Sequence, residues 1–449
     1  MSGLAHPFLQ RVATDGLEPA LQAQHRRSAL EIDKVRKASQ SRASKKLKAA
    51  VRNVKRSTAV RISCLHKAGL RSDNPHVYLR YASQFDLSAP FEGVVPWSAM
   101  PKKGDTHRPI VNLPTALKAR HYMIAHLIAT QFDVPSFIYG LKGKGRDDLV
   151  TEVKRFLEDG YVHVQHADIK DCFDSINLEA LYSLPLAKGD IENSLFPDNL
   201  RLVQRVATER TPIAPGTATT TGTTRGTIMG SASTSGPKGL LQGSPASNII
   251  LAYLLRELKV KEDNDVKLLL YSDNFLLMSR TEKALLAEGQ SLAEQLDQSP
   301  FGPLVLVNKD RSADAYFEFL GYGFQPDPTS KTWEITPSQS NWDKLDQRHE
   351  IAVKADLDHR YIYPFHGDAA VRHFLTGFKS TTSPNELFEM YRTIGLRDLL
   401  LNEQALRANL RWYYECRGYI AHQASALAEQ HLDYLYYTAS QAALHPCGA

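Results

Sequence analysis

Val266–Arg280 reads VKLLLYSDNFLLMSR. An apolar run climbs into Tyr271-Ser272-Asp273-Asn274, and a second apolar run leaves it. Short apolar runs on either side of polar turn residues are the pattern of two buried strands joined by a tight hairpin. A carboxylate at such a tip is expensive to hold unless something uses its charge. Asp273 is therefore the first candidate functional residue, and the amide beside it, Asn274, asks for an explanation.

Working outward, Val162–Ile176 (VHVQHADIKDCFDSI) alternates early, ends in an acidic tip at Asp168 and gives way to a helix-like stretch from Asn177 to Leu184. Leu117–Phe132 has a helical pattern, and Pro101–Pro114 places a Gly-Asp turn between short extended pieces. Leu240–Lys259 ends in a helix with an apolar face, and Thr281–Gln298 is an amphipathic helix opened by a threonine cap. Gly302–Asp310 and Tyr316–Pro326 read as strands. Residues 20–56 predict one or two helices, whereas 57–101 predict broken, turn-rich chain and the part after Ser338 is mainly helical. Residues 211–239 are low-complexity Thr, Gly and Ser, a composition that buries no core, and predict a loop. The order is that of an α+β protein with mostly antiparallel pairing. It excludes a doubly wound nucleotide fold, and no phosphate-binding glycine motif follows a strand.

At 449 residues, 43% hydrophobic and 23% charged, the chain is long enough for two or three globular domains. Its formal charge of +5 is concentrated between Arg26 and Arg56. There Arg27, Lys34, Arg36, Lys37, Arg42, Lys45, Lys46, Lys48, Arg52 and Lys55 are opposed by only Glu31 and Asp33. Such a run is either a solvated helix face or an arm for a polyanion. Four scattered cysteines form neither a zinc spacing nor a disulfide framework and suggest a reducing compartment. With no bilayer-length apolar stretch and no signal peptide pattern, the expected location is cytoplasmic and no membrane partner is expected.

Asp168 and Asp273, each at the end of an apolar strand, are what hard divalent cations take as ligands once adjacent strands bring them together. Two such cations about 3.5–4 Å apart can clamp an in-line phosphoryl displacement. The order HADIKDCFDSI, GLLQGSPASNIILAYLL, LLLYSDNFLLMS, LVLVNKD and EFLGYGF resembles the successive palm motifs of reverse transcriptases. The similarity is greatest to the bacterial group II intron, retron and phage-defence lineage. Upstream, Pro101–Ile124 is similar to the family's fingers, and the resemblance runs from about Pro101 to Phe324.

The resemblance implies a right-hand polymerase. A basic helical extension (1–57) would precede fingers and palm (58–330) and a helical thumb (331–449). It implies two Mg²⁺ ions, with Mn²⁺ able to substitute, held by Asp168, Asp273 and the Ile169 carbonyl. Lys102 or Lys103, with Arg108, would reach the triphosphate of the incoming nucleotide, where a planar guanidinium suits phosphate oxygens. Phe173 would lie under the sugar and exclude a 2′-hydroxyl, which makes the substrate a dNTP. Gln242 would brace the nucleotide, Gly243 admit the template base, and Lys309 serve the leaving pyrophosphate. Phe319, Leu320 and Gly321 would grip the primer terminus. The partners implied are an RNA template or noncoding RNA, a DNA primer or product, and a second copy or a partner reverse transcriptase.

The family usually ends the hairpin turn with two aspartates, and here the second is Asn274. Either the amide still ligates or hydrogen-bonds and activity survives, or the site has decayed and the chain is an RNA-binding scaffold. The persistence of Asp168, Asp273, Phe173, Gln242, Arg108 and Lys309 together favours the first. An RNA-dependent RNA polymerase of similar palm is the enzymatic alternative. Neither an endonuclease-like Cys/His module nor retron signatures are found, so the resemblance narrows to the unknown-group and abortive-infection reverse transcriptases of antiphage defence. In that group synthesis can be RNA-templated, template-independent or repetitive, and a protein hydroxyl can prime it. Tyr434, Tyr436 and Tyr437 are candidates, although aromatic packing on a helix is the simpler account of them.

Overall fold

The computed structural model describes residues 6–102, 107–205, 236–260, 265–330, 332–358, 366–400 and 402–444. Five helices open the chain: α1 (Pro7–Asp15), α2 (Leu17–Gln40), α3 (Ser44–Arg56), α4 (Thr58–Lys67) and α5 (Pro75–Ser83). Then come β1 (Val94–Pro101), β2 (His107–Val111), α6 (Thr115–Ala129), β3 (Ile138–Tyr139), α7 (Arg146–Glu158), β4 (His163–Ile169) and the short α8 (Cys172–Ser175). Next are α9 (Lys188–Leu195), β5 (Arg201–Gln204), α10 (Ser247–Leu255), the hairpin β6 (Val266–Tyr271) and β7 (Asn274–Ser279), and α11 (Glu282–Asp297). Four strands follow: β8 (Leu306–Ala313), β9 (Phe317–Phe319), β10 (Tyr322–Pro326) and β11 (Trp333–Pro337). The chain ends in α12 (Gln339–Asp358), α13 (His366–Thr376), α14 (Pro384–Leu400), α15 (Glu403–Cys416) and α16 (Ala421–Leu444).

The class is α+β, and the central sheet has the order β3-β6-β7-β4-β8. All its pairings are antiparallel except β3 with β6. Strand alternation explains why Val266–Ser279 reads as a continuous apolar run. Leu268, Leu270, Phe275 and Leu277 enter the large core that includes α6 and α10, while Leu269, Leu276 and Met278 enter a second core on the opposite face. The second core is closed by β9, β10 and β11 through Phe317, Phe319, Tyr322, Phe324 and Ile335. A separate three-stranded sheet, β2-β1-β5, stands beside the central one. The C-terminal helices build two small cores of their own, one around Leu406, Leu410 and Leu432 and the other around Leu345, Val371 and Tyr391.

Two helices lie where broken chain was expected. Asn74 caps α5, with Pro75 at its first position, and Ser57 caps α4. The α4 residues Ala59, Val60, Ile62, Ser63, Cys64 and Leu65 are all buried, so the helix is covered on most sides. It leaves no polar face, and without one there is no amphipathic period to read. The turn-rich signals at Arg71–Pro75 and Ser88–Pro96 flank these elements instead. The threonine cap is as expected: the Thr281 hydroxyl accepts from the Ala284 amide at 3.3 Å.

The N-terminal helices are not a detached arm. Phe8, Leu21, Val35 and Val54 share the large core with Met123 of α6, Leu251 of α10 and Leu277 of β7. An ion pair fastens the junction. Lys55 Nζ donates to both carboxylate oxygens of Asp190 at 2.7 Å, and Ser88 Oγ donates to Asp190 Oδ1 at 2.8 Å. Asp190 is 1% exposed. Lys55 therefore serves the fold, although it belongs to the basic run. Among the described residues no helix is long and apolar enough to cross a membrane.

Candidate active site

The β6–β7 hairpin closes in two residues, with Tyr271 paired to Asn274 and Ser272 at φ 58°. This tight turn sets Asp273 at the tip. In the neighbouring pair, β4 and β7 run antiparallel with Asp168 opposite Asn274. The Ile169 amide donates to the Asp273 carbonyl at 3.2 Å, which ties the two acid-bearing segments together. Period-2 alternation then puts His166, Asp168 and Asn274 on one face, the face closed by β9–β11.

On the other side of β4, the register with β8 slips by one residue: His166 pairs with Asp310 and Ala167 with Asn308. Lys309 is the extra residue of that bulge. A bulge re-aims its side chain out of the regular alternation, and Lys309 Nζ forms an ion pair with Asp168 Oδ2. A cation thus already sits on the carboxylate proposed from the sequence as a metal ligand.

A second cluster lies at the start of α8. Asp171 holds a left-handed backbone, φ 46°, and accepts from Lys102 Nζ at 2.7 Å. That hydrogen bond, the nearby Lys102, Lys170 and Arg108 charges opposing burial, holds the Asp171 carboxyl below its usual range. Burial pushes the Asp174 carboxyl up, against a hydrogen bond of 3.2 Å from Gln242 Nε2 and the charges of Lys102 and Arg108. Lys102, directly after β1, and Arg108, on β2, therefore face the same acidic edge. Lys103, the alternative to Lys102, lies outside the described residues, as do most of the Thr/Gly residues between 211 and 239.

Backbone hydrogen bonds tie the second cluster together. The Gln242 carbonyl accepts from the Val111 amide at 2.8 Å, and the Phe173 carbonyl from the Leu240 amide at 2.7 Å. Gly243 has φ +97°, and a Cβ there would stand 2.6 Å from the Val111 carbonyl oxygen. This close approach is what glycine is for at that position. Phe173 is partly buried, and its side chain packs against the large core.

Phe319 is 1% exposed and lies inside the second core, its ring edge-to-face with His166 at 5.0 Å and 84°. Leu320 and Gly321 form the β9–β10 turn, with φ 50° and 82°. The three residues are therefore not alike: a core ring supports two turn residues. Tyr436 donates its hydroxyl to Glu403 Oε2 at 2.7 Å on the surface of the C-terminal helices.

Sequence reasoning left three neighbours without a role: His166, Asp171 and Asp174. The signal for His166 was its spacing, since two residues before Asp168 on a strand is the same face. Asp171 and Asp174 stood in the acidic tip already singled out. Burial lowers the proton affinity of His166; the Lys309 charge acts the same way, while a side-chain hydrogen bond with Asn274 and the charges of Asp168 and Asp310 oppose it.

Chemically, a carboxylate at the end of β4 and another at the tip of the neighbouring hairpin, with the Ile169 backbone carbonyl next in the chain to Asp168, are a hard-oxygen donor set. Mg²⁺ is commonly held by one or two carboxylates together with substrate phosphates. The residues present fit such a cation, with Lys309 the positive charge now against Asp168.

Residues 100–324 match the family described as reverse transcriptase (RNA-dependent DNA polymerase). No curated protein matches the chain in sequence. Among solved structures it is similar to an apo telomerase from Candida tropicalis truncated from its C-terminal domain, at 12% identity, 56% of each chain and TM-score 0.31. It is also similar to the Sicinivirus 3Dpol RNA-dependent RNA polymerase, at 12% identity, 74% of this chain and 72% of that one, TM-score 0.37. A third is a telomerase from Candida albicans with a TWJ fragment of telomeric RNA, at 11% identity, 79% of this chain and 70% of that one, TM-score 0.32. The chain spans little more than half the length of the first of these.

Proposed function

Because the chain belongs to the reverse transcriptase (RNA-dependent DNA polymerase) family, we propose that it is a polymerase that adds dNTPs to a 3′-hydroxyl, or to a protein hydroxyl, by attack on the nucleotide α-phosphate. The observation that carries this reading is the convergence of Asp168, at the end of β4, and Asp273, at the tip of the neighbouring β6–β7 hairpin, locked by the Ile169–Asp273 backbone bond, with Lys102 and Arg108 facing the Asp171–Asp174 edge just beyond β4.

In this reading Asp168, Asp273 and the Ile169 carbonyl hold two Mg²⁺ ions, which when bound supply charge neutralisation at the attacking and leaving oxygens. The chain's own residues position the rest. Lys102 leaves Asp171 for the triphosphate, and Arg108 takes its oxygens in a planar fork. Gln242, anchored to β2 through its carbonyl and to Asp174 through its amide, braces the nucleotide. Gly243 leaves room for the template base. Phe173 gates the sugar, Lys309 moves from Asp168 toward the pyrophosphate, and Leu320 and Gly321 meet the primer on a support of Phe319. Catalysis is then largely positioning and electrostatic stabilisation.

The proposed domains are the basic helical extension (1–57), fingers and palm (58–330) and thumb (331–449). Apart from Lys55, the exposed cations of α2 and α3 are proposed to bind RNA, template or noncoding, with affinity that falls with salt. The antiphage-defence lineage is proposed from the resemblance of the palm motifs, with a bacterial cytoplasmic setting.

The test is incorporation of labelled dNTPs and rNTPs, with and without primer, in Mg²⁺ or Mn²⁺. Incorporation of dNTPs lost in Asp273→Ala supports the reading. Phe173→Ala is expected to gain rNTP use, and no gain removes the sugar gate. Preference for rNTPs in the unaltered protein turns the assignment to an RNA polymerase. Bound RNA without incorporation under any condition turns it to a decayed scaffold.

A further inference from the structure

The amide at the hairpin tip has a partner no carboxylate would need. An Asn side chain carries a donor end and an acceptor end, so its orientation matters in a way that a carboxylate's does not. Here Asn274 Nδ2 donates to Asp273 Oδ1 at 3.2 Å. Turned over, the amide would set its oxygen against the Asp273 carboxylate, and two acceptors would face each other. Something has to hold the turn in the favourable sense.

His166 is placed to do so. It pairs with Leu276 on β7 while Asp168 pairs with Asn274, so the ring is the diagonal neighbour of the amide on the same sheet face. Diagonal neighbours lie within reach when one side chain is aromatic, and here that side chain is the His166 ring. Its Nε2 is buried without a hydrogen bond. Leaving such a group unpaired is costly, and a native structure tolerates it where function constrains the site. The ring is fixed from behind by Phe319, edge-to-face at 5.0 Å. The charges around it are Lys309, Asp168 and Asp310.

We propose that His166 is a positioning residue of this site: resting on Phe319, it sets the orientation of the Asn274 amide and through it aims the Asp273 carboxylate at its cation. This deepens the polymerase reading and rests on it for the identity of the site. It also gives Phe319 a task suited to a ring inside the core.

The test uses the full chain and reads Mn²⁺ affinity by electron paramagnetic resonance without nucleotide, alongside kcat, the dNTP KM and thermal melting. Loss of an outer partner of a metal ligand typically lowers affinity or activity by about 10–100-fold. His166→Phe is expected to lose that much Mn²⁺ affinity and kcat, while the dNTP KM and melting stay put. His166→Gln, which retains a donor, is expected to recover most of the loss. In an Asn274→Asp background, His166→Phe is expected to change Mn²⁺ affinity little, because the amide it orients is gone. Should His166→Phe fail to fold, Asn274→Leu must reproduce the loss of affinity. Unchanged Mn²⁺ affinity in His166→Phe, an equal loss in both backgrounds, or no Mn²⁺ binding by the unaltered chain would overturn the proposal. The titration needs no turnover, so a chain that binds Mn²⁺ but polymerises nothing sinks the polymerase reading and leaves this test standing.

Discussion

Replacing Lys55 by Met asks how the basic N-terminal helices are held to the rest of the molecule. The Lys55 ammonium touches both oxygens of Asp190 at 2.7 Å, and the carboxylate also accepts from the Ser88 hydroxyl at 2.8 Å. At an effective dielectric of about 20, unit charges that close attract by roughly 6 kcal/mol. Desolvation of the pair offsets several kcal/mol of this, so the pair as a whole adds little to stability. Breaking it is another matter. The Asp190 side chain is 2% exposed and the Lys55 side chain 23%. Removing the lysine strands a carboxylate that water cannot reach, at a cost of about 3–5 kcal/mol. The lower end applies here, because Lys55 is partly solvated and Ser88 stays. About 3 kcal/mol is a change of roughly 150-fold in the folded-to-unfolded ratio. Urea unfolding followed by circular dichroism measures this in its first transition. Lys55→Met/Asp190→Leu is expected to regain most of the loss, giving a coupling of about 2 kcal/mol or more in a double-mutant cycle. A cost of Lys55→Met below about 1 kcal/mol, or additivity in the cycle, would refute the reasoning and return Lys55 to the pool of RNA-contacting cations.

Gly243→Ala should strain the left-handed backbone by about 1–2 kcal/mol and push β2 away from the Val111–Gln242 bond. The expected kinetic result is a raised dNTP KM with melting lowered only modestly; an unchanged KM would remove Gly243 from the nucleotide edge. Stability should also fall in mild acid. Burial lowers the His121 pKa to about 4, with its nitrogens held by Ser244 and the Ser194 carbonyl, and burial with the Lys67 and Lys142 charges lowers His126 to about 4. The unfolded histidines take up protons near pH 6.5 while the folded ones resist. The stability they contribute is thus complete above that value and is lost as pH falls toward 4, by about 3 kcal/mol for His121 alone. Urea midpoints between pH 7 and 4.5 measure this, and His121→Asn should flatten the slope.

Much of this molecule was legible in its sequence because the relevant signals are local. Apolar runs on both sides of Tyr-Ser-Asp-Asn required a buried hairpin, and Asp168 at the end of its own strand required a use for its charge. The ordered motifs then implied which strands must be neighbours. Lys102, Arg108 and Gln242 came with those motifs, and all three meet the acidic edge of α8. Helix α4 was illegible for the opposite reason: buried on most sides, it has no polar face to mark its period.

Tertiary structure alone decided what depends on register and on partners distant in the chain. A one-residue bulge in β8 turns Lys309 toward Asp168, and no spacing rule announces a bulge. Asp190 makes a structural residue of Lys55, 135 positions away, while its neighbours in the same basic run stay exposed. His166 became visible beside Asn274 only once β4 and β7 were paired in register. Composition and periodicity record what each segment must bury or expose. Which charge meets which is set when strands choose their register, because a shift of one residue turns every side chain to the other face.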